Sequence, residues 1–122
     1  MLEALIFLNL VASGSHFAHN GIFLESYPGP PWVSRPVIVV VWVLIAAVLL
    51  LGYGFCRRGH RVGVFVACGV YGGASLLGLG HYMYGPPSEL SAVANLFIVL
   101  EGAASVVLLT YLAAHLIAIG RP

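Results

Sequence analysis

The chemistry available to this 122-residue chain rests on three histidines and one glutamate. His16 and His19 lie three residues apart, so on a helix both imidazoles can turn toward one site. His81 would bring a third imidazole from another helix, and three histidines with one open position make a common metal site. Glu101 falls inside a long apolar run with no arginine near it. An acid at such a depth faces the interior of a bundle, where burial favours its neutral form. It then either fixes helix register through hydrogen bonds or moves a proton. Asn9, Tyr82 and Asn95 are the neutral groups placed to assist a ligand. The expected occupant is a metal ion on His16, His19 and His81, or a small lipophilic molecule, with Glu101 handling protons. A haem between His16 and His81 fits less well, because the layer that holds them is thin for a porphyrin. The plainer reading gives the histidines backbone carbonyls and Asn95 as partners beside a wet interface. His60 and His115 read as surface groups.

The composition determines which elements must position these residues. Apolar residues make up 61% of the chain and charged residues 7%, against about 45–50% and about 25% in soluble domains. A domain this short keeps a large surface for its volume and cannot hide that much apolar surface from water. A soluble globular domain and a disordered tail are excluded. The formal net charge of +1 excludes a nucleic-acid binder. An integral membrane protein is left, expected as a single all-α domain over residues 1–122. Four stretches reach the ~20 apolar residues that cross a bilayer: residues 2–21, 37–55, 62–84 and 90–119. The first lacks a cationic start and reads as a retained span, not a cleaved signal.

The run Tyr27-Pro28-Gly29-Pro30-Pro31-Trp32 and the Gly85-Pro86-Pro87 break interrupt the spans, because proline removes a donor and fixes φ. Ser88 is expected to cap the last span, with Glu89 in its first turn. Every cation is an arginine. Arg57, Arg58 and Arg61 share one turn with Arg121 on the same side, and only Arg35 lies opposite. The positive-inside rule then puts both termini in the cytoplasm. Cys56 and Cys68 are expected as free thiols. Gly69 and Gly73 form a small-xxx-small pair that predicts a central third span. Asn9, Ser13, His16 and Asn20 step by 4, 3 and 4, one helical face; Tyr71, Ser75, Gly78 and Tyr82 do the same, as do Glu101 and Ser105. At about 1.5 Å per residue the histidines form an outer layer and Glu101 lies one or two turns below them.

The segments His16-Phe17-Ala18-His19-Asn20, Tyr27-Pro28 and Gly78-Leu79-Gly80-His81-Tyr82, followed by Asn95 and Glu101, resemble a set of small bacterial four-helix integral membrane proteins of unassigned function. The resemblance covers nearly the whole chain and implies four spans and a bacterial inner-membrane location. In architecture alone the chain is also faintly similar to sterol-isomerase-like four-helix domains, from which no site residue carries over. Two further functions fit the residues. One is a non-catalytic subunit of a larger membrane complex. The other is a proton-linked transporter component that uses Glu101 and needs a homo-oligomer for a pathway.

Overall fold

The computed structural model describes residues 1–119, and side chains as far as His115; Arg121 lies outside the described residues. Four α-helices account for most of them, with no strand among the described residues: α1 Leu2–Ile22, α2 Arg35–Arg57, α3 Arg61–Leu76 and α4 Ala92–Ile119. They form an up-and-down bundle in which α1 packs on α2 and α4, and α3 packs on α2 and α4. The short α2–α3 turn forces those two helices antiparallel, while longer segments, 23–34 and 77–91, join the other consecutive helices. Gly59, at φ 73°, supplies the left-handed residue of the tight α2–α3 turn.

Three helical stretches are long and apolar enough to cross a membrane: Arg35–Arg57, Arg61–Met83 and Ala92–His115. The first predicted span, α1, is 21 residues long but is not among them. Its polar face is the reason. Asn9, Ser13, His16 and Asn20 are buried together with Ile6, while Phe7, Leu8 and Val11 are exposed. The stripe read from the spacing is the buried stripe, and it costs α1 its average hydrophobicity.

Two boundaries differ from expectation. The third span does not continue as an α-helix. Leu77–Met83 winds as a 3₁₀ segment, longer than such segments usually run. Gly78 explains part of this, since its backbone lies against the His16 and Glu101 side chains. The other difference is the start of α4. Pro87–Glu89 forms a separate 3₁₀ turn, and Ser91, not Ser88, caps α4 by accepting a hydrogen bond from the Ala94 amide at 3.1 Å.

The close helix approaches also use other glycines than predicted. Gly69 and Gly73 meet nothing within 4 Å, so the small-xxx-small pair faces out of the chain. Gly52, Gly63 and Gly72 carry the contacts, against Cys68, Phe55 and Leu109. A Cβ on Gly52 would sit 2.6 Å from Cys68 Sγ and 3.5 Å from the Cys68 backbone nitrogen, and Cys68 is fully buried. Gly52→Ala should therefore lower stability by about 1–3 kcal/mol through overpacking. Thermal unfolding in detergent checks this, and Gly52→Ala with Cys68→Ala should recover part of the loss. Both cysteines are free thiols.

Two apolar clusters close the bundle. Toward the α2–α3 turn, Ile6, Leu49, Val64, Cys68, Tyr71, Leu108 and Leu112 pack together. Toward the proline-rich loop, Leu90, Ala94 and Ile98 pack with Tyr27 and the half-buried Tyr82. The buried polar groups lie between these clusters; the second is not a complete closure, since the half-buried His81 passes beside it to the Pro28 carbonyl.

Candidate functional site

The centre of the bundle is a pair that joins α1 to α4. His16 Nδ1 and Glu101 Oε2 share a hydrogen bond, with 2% of the histidine and 1% of the glutamate side chain exposed. Helix periodicity places both: His16 belongs to the buried face of α1, and Glu101 shares its face of α4 with the buried Ser105. A Cβ on Gly78 would lie 3.1 Å from Glu101 Oε2 and 3.2 Å from His16 Cε1. Only a residue without a side chain lets the 3₁₀ segment pass this close to both members.

On the proline-loop side of the pair the polar groups are connected. The His16 and His81 rings are 5.5 Å apart between centroids, and Tyr27 stacks beside both, at 5.5 Å and 5.0 Å. His81 Nδ1 donates to the Pro28 carbonyl at 2.7 Å. Its Nε2 is therefore left to accept, and Asn20 Nδ2 donates to it at 3.2 Å. These partners fix one neutral tautomer of His81. The half-buried His19 bonds through Nδ1 to the Tyr27 hydroxyl at 2.8 Å. On the other side of the pair, Asn9 Nδ2 donates to the carbonyls of Leu5 and Ala104 at 2.9 and 3.0 Å, and Ser105 Oγ donates to Asn9 Oδ1 at 3.3 Å. Tyr71 donates to the Asn9 carbonyl at 2.9 Å, tying α3 to α1. Asn9 is fully partnered and acts as interhelical glue.

Polar atoms around the pair are less well served. His16 Nε2, Glu101 Oε1, Asn20 Oδ1 and Ser75 Oγ are buried without a hydrogen-bond partner within the chain. Leaving a buried polar atom unpaired costs about 1–3 kcal/mol, and native chains keep only a few; the one other among the described residues is Trp42 Nε1 on α2. Both members of the central pair carry one such atom.

The predicted site residues are only partly brought together. His16, His81 and Glu101 meet. His19 does not join them: its ring lies against Phe23 at 4.6 Å and Phe97 at 5.2 Å. Tyr82 donates to Asn95 Oδ1 at 2.9 Å, and Asn95 Nδ2 donates to the Pro87 carbonyl at 2.8 Å. That pair secures the loop before α4 instead of a ligand. Among the described residues no three His, Cys, Asp or Glu side chains are arranged to hold a metal ion. The three imidazoles do not converge, because each has taken a separate partner. The two predicted layers also merge: α4 starts at Ala92, two residues later than the run from residue 90 suggests, so Glu101 is fewer turns into its helix and reaches His16 directly.

The sequence reading counts Tyr27 only in the proline-rich break after the first span and misses it as a site residue. Its position eight residues after His19, just before Pro28, was the available signal, since that proline turns the chain back over the end of α1. Burial, then the neighbouring Tyr82, pushes the Tyr27 phenol up from 10.0 to about 12. A raised value means that the folded state keeps the proton longer than the unfolded chain. The stability tied to this proton is complete below pH 10 and is lost as the pH rises through about 12. Alkaline titration should show the loop over His81 loosening in that window, read from tyrosinate absorbance, and Tyr27→Phe should remove the transition. Compared with known proteins, the chain matches no family, no curated protein and no solved structure.

Proposed function

We propose that the chain is a four-span membrane protein whose bundle holds a one-sided proton-exchange site, with the His16–Glu101 pair as the group that takes up and releases the proton. The observation that carries this reading is the buried pair itself, with an unpartnered polar atom on each member. Ionisable side chains inside a membrane bundle mark proton or ion sites. Asn20, His81 and Tyr27 continue the polar seam toward the proline-rich loop. The seam ends in the other direction, where Leu49, Cys68 and Leu108 are fully buried in the apolar cluster. One chain thus offers access from one face and no crossing. Such a half-path suits a component of a proton-linked assembly, either a homo-oligomer or a larger membrane complex, in which a partner receives the proton.

In this reading α1 also crosses the bilayer, since its polar face is covered by α4 and the 3₁₀ segment Leu77–Met83, and its apolar residues Phe7, Leu8 and Val11 are left for lipid. By the positive-inside rule Arg57, Arg58 and Arg61 favour the cytoplasmic side of a bacterial inner membrane for the α2–α3 turn, and the same side for both termini. The site then opens to the outer face. The test is infrared difference spectroscopy of the reconstituted full chain as the pH is stepped. A buried carboxyl band that changes with pH and is missing in Glu101→Gln supports the reading. A spectrum in which no buried carboxyl responds over the range in which the fold survives overturns it.

A further inference from the structure

A cleft at the opposite end of the bundle is unrelated to the His16–Glu101 pair. It encloses about 300 Å³ between the start of α1, the α2–α3 turn and α4, and its apolar walls include Leu2, Val64, Phe65 and Leu112. That volume is at the lower end of the range of small-molecule sites. Arg61 and His115 stand on its rim. Arg61 also lines a second, more open depression with Phe55, His60 and Gly63. One exposed arginine thus borders two largely apolar depressions.

The charge around them is one-sided. Arg57 is paired with Glu3 at 3.3 Å, whereas Arg58 and Arg61 make no ion pair among the described residues. Among the described residues no other acidic side chain lies at this end of the bundle: Glu25 and Glu89 belong to the opposite loops and Glu101 to the bundle interior. An occupant must combine a negative group for Arg61 and Arg58 with apolar chains for the clefts. The clefts also lie where the candidate spans end, at Arg57, Arg61 and His115. We propose that Arg61, assisted by Arg58, binds the phosphate of an anionic diacyl phospholipid whose acyl chains lie against the apolar walls of the depressions that Arg61 borders. Clustered arginines next to a span attract anionic lipid; here the paired apolar clefts add a place for the chains.

Native mass spectrometry of the full chain in detergent tests this, with equal amounts of phosphatidylglycerol and phosphatidylcholine bearing the same acyl chains. Phosphatidylglycerol should be retained preferentially, and Arg61→Gln should cut that preference about fivefold, the effect of one cation near the surface. Arg61 is exposed, so the variant should fold normally. Arg35→Gln, at the other end of the bundle, should leave the preference unchanged. Equal retention of the two lipids overturns the proposal, as does an equal effect of Arg61→Gln and Arg35→Gln. Displacement of phosphatidylglycerol by millimolar inorganic phosphate also overturns it, because the site would then hold a free anion without using the clefts.

Discussion

Glu101→Gln is expected to abolish the pH response of the bundle core while leaving the fold close to intact. The amide has nearly the shape of the carboxyl and can donate to His16 Nδ1, so the link between α1 and α4 survives. The change in stability should stay within about 1 kcal/mol, the net worth of one hydrogen bond. What the amide cannot do is exchange a proton. In reconstituted vesicles the wild-type chain should take up protons in a step that the variant lacks, and the difference should be one proton per chain. Thermal unfolding of the same samples separates lost chemistry from lost structure. A variant that unfolds far below the wild type, or one that keeps the full uptake, contradicts the assigned role of Glu101.

The second large effect concerns the pair as a unit. His16→Leu leaves Glu101 buried without its partner, and Glu101→Leu does the same to His16. Each should lower stability by about 1–3 kcal/mol from the unsatisfied group. The double variant His16→Leu with Glu101→Leu removes both polar groups and should be much closer to the wild type, because apolar substitution of both partners is often neutral. The interaction energy from this cycle should then approach the sum of the two single losses, about 2–6 kcal/mol. Additive losses would mean that the two side chains do not depend on each other. A double variant that is stable and lacks proton uptake would show that the pair is kept for its chemistry and not for the fold.

The parts of this arrangement differ in how far the sequence reveals them. The α1 stripe of Asn9, Ser13, His16 and Asn20 follows directly from helical spacing, and the buried face of α1 matches it. Glu101 stands out as the one acid in an apolar run. The contacts between helices were not legible in the same way, because they depend on offsets that spacing does not fix. Treating residues 62–84 as one α-helix missed the 3₁₀ winding of Leu77–Met83, whose rise of about 2.0 Å per residue instead of about 1.5 Å displaces His81 along the bundle. Starting the last span at residue 90 set Glu101 two residues further into its helix than the start of α4 at Ala92 does. The glycines show a further limit. Gly69 and Gly73 have the spacing of a packing motif, but spacing does not say which face of a helix meets a neighbour, and Gly52 and Gly72 make the contacts instead. Tyr27 reaches the site only because the chain folds back at Pro28, a tertiary event without a periodic signature.

The account depends most on access from one side only. Its direct measurement uses the full chain reconstituted in a single orientation, with the pH stepped separately on each face of the vesicle while the buried carboxyl band is followed. The band should respond to a step on the face carrying the Tyr27–Pro28 loop and stay unchanged for a step on the face carrying Arg57, Arg58 and Arg61. An equal response from both faces, or a response from the arginine face alone, would contradict the half-path to His16 and Glu101.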